Sequence, residues 1–457
     1  MDEIAVRKFR VFHIFPFSLE FEIEFSEDLF NRLKENDKIK GILRMKRENA
    51  ILKNLIDNPN FCSDIPEYFK RNGRIFSPYY FSQEKNFRIF LSGIELVDIF
   101  SNRRKVSMNV LIDKRGFGII NFFIEYIYDN PIEAEKVLKE LYAPHEEERI
   151  IIKDNNKESI LNFKNAFFYY YIKIKEIIYE NTLKTKKNFF ELTTEELENY
   201  YEPYAFTIID DYHMEEQIID EHPTEDQAII DESHISTVFL PILLWEEETD
   251  KIRDYRKETA ESLYKNISHK QRYLTLLSRE STLLINKNKK LPVDSSDVIT
   301  YLINIEMLML QKLILLLYDH KIDAMLMQLR NKKISPSVTV DFREKVQKDL
   351  EDVFDIRIKN YQRGKDIVDI GQEILKLKDF SQEVSGKIDT LDNLIALKHN
   401  LYIEQITVIL TLLGLVIVTF DPILAIAPPE YGNRIYVSYI GIILLTSSYY
   451  YLRIKRV

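Results

Sequence analysis

The chain is poor in the residues that mark several large protein classes. One cysteine, Cys62, among 457 residues leaves no internal disulfide and fits a reducing compartment. Eight histidines show no spaced metal-binding pair. No Walker A loop, no Gly-x-Gly-x-x-Gly and no His-Glu-x-x-His occurs, and no catalytic constellation is visible, so the expectation is no enzyme. The opening MDEIAVRKFR is charged and lacks the apolar run of a secretion signal. A formal charge of −10 argues against general nucleic-acid binding, which needs a basic face. Only 11 glycines among plentiful aromatics suit long helices and well-filled strands rather than disorder.

What the chain does have is apolar sequence near its C-terminus. Ile406–Ala427 (ITVILTLLGLVIVTFDPILAIA) and Ile435–Leu452 (IYVSYIGIILLTSSYYYL) each have the length of a membrane-crossing helix. Residues 428–434 between them read as a turn. Lys398 and His399 precede the first stretch, and Arg453, Lys455 and Arg456 follow the second. By the preference of basic residues for the cytoplasm, both termini are expected there, with residues 453–457 as a basic cytoplasmic tail.

The remaining chain divides by pattern. Residues 1–240 read as a cytoplasmic α/β domain with an acidic insertion at about 187–234. Leu19, Phe21, Ile23 and Phe25 alternate with glutamates at a strand period. Glu27–Leu55 has helical spacing, Val106–Tyr126 reads as a hairpin turning at Gly116, and residues 131–142 as a short helix opening on Pro131. The run AFFYYYIKIKEIIYE suits strand or helix, and its aromatic and β-branched content favours strand. The acidic insertion repeats weakly as IIDDYHMEEQ, IIDEHPTEDQ and IIDESH. Its histidines, His213, His222 and His234, lie beside Asp210, Asp211, Asp220 and Glu221. A divalent-cation sensor and a solvated acidic face both fit.

Residues 241–339 read as a helical hairpin, with helices at roughly 244–288 and 295–330. Val298–Tyr318 is apolar, but Asn304, Glu306, Gln311 and Lys312 interrupt it, which favours a buried helix over a membrane span. A stalk helix is expected over 340–405, running on into the first apolar stretch. Ile367, Ile370, Ile374, Leu377, Ser381, Val384, Ile388, Leu391 and Ile395 form a heptad seam. Continuous from Val340, such a rod would reach about 130 Å and would bury its seam on other copies of the chain.

One face of the first apolar stretch carries Asn400, Glu404, Thr407, Thr411, Gly414, Val418 and Asp421. In a ring of copies this stripe lines a pore, with Glu404 and Asp421 as carboxylate rings that attract cations. Close helix contact without a channel is the other reading. For a phosphate-bearing ligand the donors on offer are Arg7, Lys8, Arg103, Arg104, Lys105, Lys114 and Arg115; plain surface charge is the alternative.

This arrangement resembles the CorA family of divalent-cation transporters. The family's outer loop reads Pro-x-x-x-Ile-Ala-Gly-x-Tyr-Gly-Met-Asn, and Pro422, Ile426, Ala427 and Asn433 fall in register with it. Tyr431 stands where the family has the signature Gly, and Gly432 where it has Met; Pro428 and Pro429 change the loop further. The resemblance implies a homo-oligomeric funnel, pentameric in the family, in a bacterial or archaeal plasma membrane. An α+β cytoplasmic domain would lead by a long stalk helix into two C-terminal transmembrane helices. It implies Mg²⁺ or another divalent cation as the transported ion, with Tyr431, Gly432 and Asn433 at the outer selectivity loop. Divergent CorA-like proteins with such altered signatures occur among the membrane effectors of type III CRISPR systems, and the chain resembles these, which implies gating by a nucleotide messenger such as an S-adenosylmethionine–AMP conjugate (SAM-AMP). Three functions stay open: a ligand-gated cation channel in antiviral defence, a constitutive Mg²⁺/Co²⁺ transporter regulated by cytoplasmic divalent cation, and a membrane-anchored scaffold without a pore.

Overall fold

A computed structural model describes residues 4–19, 21–24, 27–35, 39–44, 86–154, 157–181, 186–187, 203–214, 239–244, 263–287, 293, 295–330, 336–354, 362–426, 437–438 and 440–441. The chain forms two compact units, Met1–Leu317 with Leu350–Phe380, and Tyr318–Asp349 with Ser381–Val457.

The first unit is built on a mixed sheet of 11 strands. In chain order these are β1 (Ile4–Ser18), β3 (Ile39–Arg44), β4 (Asn86–Val97), β5 (Arg103–Asp113), β6 (Phe117–Glu133), β7 (Ile150–Asp154), β8 (Lys157–Leu161), β10 (Tyr204–Met214), β11 (Tyr264–Asn266), β12 (Tyr273–Ser278) and β13 (Ser281–Asn286). A two-stranded ribbon, β2 (Phe21–Glu22) with β9 (Lys186–Lys187), stands apart from it. The spatial order is β11-β12-β13-β10-β1-β6-β5-β4-β7-β8, and β3 also pairs with β4. Among the described residues only β10 and β13 run parallel; the other pairs are antiparallel. β4 shares one edge between β3, opposite Phe87–Leu91, and β7, opposite Ile94–Leu96. A bulge between Leu91 and Ile94 marks the change of partner.

β1 explains why this sheet is covered on both faces. Its sequence FRVFHIFPF is buried at consecutive positions rather than at every second one. Phe15 meets Phe163 and Phe167 on one side. Phe12 meets Phe206, which in turn meets Tyr301, on the other. The first side is closed by α2 (Ala134–Glu146) and α3 (Phe163–Asn181), the second by α4 (Ser295–Arg330). A small helix, α1 (Glu27–Glu35), adds Phe30 edge-on to Phe87.

α4 is apolar nearly all round, the pattern of a buried helix. By length and composition its Tyr301–Leu329 stretch could cross a bilayer, yet 83% of its apolar window is buried. Two of its polar residues are seated by partners, Glu306 on the sheet and Gln311 by Gln372, whose amide donates to it at 3.1 Å. Glu306 receives Arg88 through both oxygens, at 2.8 and 2.5 Å, and Asn121 Nδ2 at 2.5 Å. Arg88 also donates to Asn109 Oδ1 at 2.6 Å. Both charges are essentially without solvent contact, at 0% and 1% exposure. The same face holds a second enclosed pair, Arg10 with Asp210, bidentate at 2.6 Å.

The expected architecture is corrected on these findings. The chain is not an α+β cytoplasmic domain leading by one stalk into two C-terminal transmembrane helices in a CorA-like funnel; it is a large mixed sheet flanked by helices. Among the described residues the helix that passes the length-and-apolarity test is α4, which is buried. The stalk from Val340 is divided into α5 (Pro336–Phe354), α6 (Gln362–Ile374) and α7 (Leu377–Ile426). Lys376, at φ +53°, breaks the path between α6 and α7. α7 alone has 50 residues, so it spans roughly 75 Å. The heptad seam does not wait for another copy, since Ile367, Leu377, Val384 and Leu391 are all at 0% exposure in the single chain.

In the second unit α7 lies against the end of α4 and against α5. Lys387 bridges Asp319 and Asp323 at 2.6 and 2.8 Å, Arg343 reaches Asp392 at 3.1 Å, and Tyr318 hydrogen-bonds Asp349.

Other expectations change locally. AFFYYYIKIKEIIYE is helix α3, with Phe163, Ala166, Phe167, Tyr170, Tyr171, Ile174 and Ile178 buried at helical spacing. The expected helix over 244–288 gives way, from Tyr264 onward, to strands β11–β13, and residues 245–262 lie outside the described residues. Helix α1 stops at Glu35 and β3 follows it. Pro131 still belongs to β6, and α2 begins at Ala134. The hairpin turning at Gly116, φ +89°, is as expected; a Cβ there would lie 2.1 Å from the Phe21 carbonyl oxygen.

Removing one partner of the Arg88–Glu306 pair strands the other charge out of water. Arg88→Ala and Glu306→Ala are each expected to lower stability by about 3–5 kcal/mol, and the double variant by clearly less than the sum. Urea denaturation of the purified variants measures this.

Candidate functional site

Exposure along α7 changes abruptly. Up to Leu391 its apolar seam is enclosed. Beyond that, Leu397, Leu401, Tyr402, Ile403 and Val408 are exposed, and Leu410, Leu415 and Val418 reach 62%, 61% and 73%. Val437 and Ile440 are exposed as well. So many exposed large apolar side chains on one helix mark a contact with lipid or with protein.

The expected pore-lining residues fall on this helix. Asn400, Glu404, Thr407, Thr411, Gly414 and Val418 are exposed, and their spacing puts them on one face. Asp421 belongs to the same helix, and its side chain lies outside the described residues. The threonines are satisfied within the helix: Thr411 donates to the Thr407 carbonyl at 2.7 Å, and Thr419 to that of Leu415 at 2.9 Å. A hydroxyl bonded back to its own helix tolerates an apolar surrounding. The expected loop residues Tyr431, Gly432 and Asn433 lie outside the described residues.

The seven basic residues offered as ligand donors divide between two ends of the sheet: Lys8 lies opposite Ile127 of β6, whose carbonyl accepts from Arg104 at 3.0 Å, whereas Lys114 and Arg115 lie at the far end. Arg103 and Arg115 lie at opposite ends of the β5–β6 hairpin, about 35 Å apart along the chain direction. Most already have acids beside them: Lys8 with Glu125 at 2.7 Å, Arg103 with Glu95 at 3.3 Å, Arg104 with Asp98 at 2.9 Å and Arg115 with Asp113 at 2.7 Å. Arg7, Lys105 and Lys114 are exposed. Hairpin ends concentrate charge of both signs, which a list of cations alone does not reveal.

The acidic candidates separate too. Asp210 belongs to strand β10 and is paired with Arg10, so the part of the first repeat within Tyr204–Met214 is strand rather than a solvated loop. Asp211 is its half-buried neighbour, while Asp220 and Glu221 lie outside the described residues. Among the described residues no group of three or more His, Cys, Asp or Glu is placed to hold a metal ion.

One polar cluster carried no sequence signal beyond ordinary helix residues. Glu140 of α2 is buried, takes the Tyr128 hydroxyl at 2.7 Å and the Ile99 amide at 3.1 Å, and so ties the helix to the β4–β5 turn. Asp98 organises that turn, accepting from the amides of Phe100 and Asn102 and from Arg104. Burial, with a smaller push from Asp98, raises the Glu140 carboxyl to about 7, against the pull of Tyr128, Ile99 and Arg149. Nearby, His13 and His145 sit 3.2 Å apart, and burial keeps both neutral.

An acid whose carboxyl is raised by folding holds its proton more tightly in the native state. Its contribution is full below about 4.5, the ordinary value, and is lost as pH rises through about 7. Stability is therefore expected to fall by roughly 3 kcal/mol across that window, and Glu140→Gln to flatten the fall. Urea midpoints at a series of pH values check this.

No family model, curated protein or solved structure matches the chain.

Proposed function

We propose that this chain is a membrane protein whose α7 enters a lipid bilayer from about Leu401 onward, and that copies of it together form a cation channel opened by a ligand. The observation that carries the reading is the uncovered apolar surface of α7 from Leu401 to Val418. In water such a surface is costly; in lipid it is the favoured exterior. Glu404, on the same helix, supports a water path between copies, because an ionised carboxylate in hydrocarbon is expensive unless it meets water or protein. The transported ion is Mg²⁺ or another divalent cation. The ligand is a nucleotide of the SAM-AMP type, the finer part of the reading, which rests on the CorA-like sequence features around Pro422 and Asn433.

A specific observation favours a second reading. The hydroxyls of Thr411 and Thr419 are satisfied within α7, so the helix suits a lipid-enclosed anchor without any pore.

Mg²⁺ flux into liposomes holding the purified protein, with and without SAM-AMP, separates these readings. Flux that appears only with SAM-AMP, and that falls at least tenfold in Glu404→Ala and Asp421→Ala, is the expected result. Flux without any nucleotide supports a constitutive transporter. Reconstitution without flux under either condition supports the anchor, and protein that does not enter liposomes overturns the membrane reading.

A further inference from the structure

The second unit sorts its charges along its helices. Where α4 and α5 lie against the first turns of α7, acids are matched: Asp319 and Asp323 take Lys387, and Asp392 takes Arg343. Past these pairs α4 and α7 run on without an acid. α4 continues after Asp323 as AMLMQLR, and α7 continues between Asp392 and Glu404 as NLIALKHNLYI. The first acid of α5, Asp341, lies two residues before Arg343, back toward the paired level. Lys398 and His399 are the basic residues of the acid-free α7 stretch.

At the same level α7 loses its neighbours. Lys398 Nζ donates to the Leu329 carbonyl at 2.5 Å, so the last turn of α4 stands beside it. No later residue of α4 can satisfy that carbonyl, and a cation there meets the negative end of the helix. An ammonium has three N–H donors, and this bond uses one. Immediately beyond, every residue from His399 to Glu404 is exposed, which is more than a full turn and so every side of the helix. Apolar surface opens on both helices here: Met327 near the end of α4, and Leu397, Leu401 and Tyr402 on α7.

We infer that this end of the second unit docks on the headgroups of an anionic phospholipid bilayer. Lys398 shares its ammonium between the Leu329 carbonyl and a lipid phosphate, Tyr402 stands at the boundary between headgroups and acyl chains, and Met327 brings the end of α4 into the same layer. Tyrosine and lysine are the side chains that suit such a boundary, each with an apolar body and a polar tip. The span of α7 fits a bilayer as the occupant. A helix crosses about 30 Å of hydrocarbon in about 20 residues, which from Leu401 ends at Asp421, and α7 stays helical as far as Ile426. The inference rests on the membrane reading of α7 and adds the end of α4 to the contact.

The test uses the full-length protein in two measurements. In the first, Met327→Cys carries a nitroxide, with Cys62→Ser removing the native thiol, and the protein is placed in nanodiscs containing a lipid with a nickel-chelating headgroup. Strong relaxation of the nitroxide by the headgroup nickel is expected. In the second, native mass spectrometry in detergent compares retention of phosphatidylglycerol with that of phosphatidylcholine. Phosphatidylglycerol is expected to be held about fivefold more tightly, the effect of one lysine at an anionic surface. Lys398→Gln keeps a donor for the Leu329 carbonyl without the charge, and is expected to abolish the preference; Lys398→Arg is expected to keep it. Equal retention of the two lipids, or a preference unchanged in Lys398→Gln, overturns the assignment. Inorganic phosphate bound as tightly as phosphatidylglycerol overturns the lipid as occupant. Protein that enters nanodiscs with its Met327→Cys nitroxide untouched by the nickel keeps α7 in the membrane and removes the docked end of α4. Protein that does not enter nanodiscs removes both.

Discussion

The sheet unit depends on a strand that is apolar on both faces. β1 lies between β6 and β10 and carries aromatic side chains to either side, so no arrangement with one wetted face accommodates it. α2 and α3 must close one side and α4 the other. α4 in turn brings Glu306 to a sheet face that offers Arg88, Asn109 and Asn121. Such a pair adds little net stability over a well-filled apolar contact, but it fixes the rotation and sliding of α4, because a helix displaced by one turn leaves two charges unsatisfied. α4 is thus committed to a single seat.

That commitment bears on which apolar sequence is free to meet a membrane. α4 and the distal part of α7 are both rich in leucine and isoleucine. α4 has its apolar surface covered, 83% of its apolar window being buried. α7 divides: its first turns are enclosed through Leu391, where Lys387 and Arg343 hold it by ion pairs, and its later turns carry exposed leucines and valines. Composition is shared between these helices; the difference lies in what each is offered to cover it.

The legible parts of the sequence were those in which local chemistry and fold agree. The β5–β6 hairpin turns at Gly116 because only glycine fits against Phe21 there. The 295–330 helix was readable from its long apolar run, and Asn304, Glu306 and Gln311 marked it as buried rather than lipid-facing. The failures have physical reasons. In α3, tyrosine and isoleucine suit strands by preference, while the spacing of Phe163, Phe167, Tyr170, Tyr171 and Ile174 is helical; spacing was the better guide. IIDD resembled a solvated acidic loop because Asp210 gave no sign of Arg10, 200 residues away. The seam from Ile367 to Ile395 was correctly apolar, but periodicity does not say whether another copy or the same chain covers it. For the candidate ligand donors, charge sign was visible and neighbouring acids were not.

The two ends of the large sheet carry a consequence for assembly. β11 has three residues, two of them the exposed Lys265 and Asn266, and β8 presents Glu158, Ser159 and Ile160 to solvent. Short, polar rims of this kind are poor templates for a neighbour's backbone. At these two rims a neighbouring sheet finds little backbone to continue.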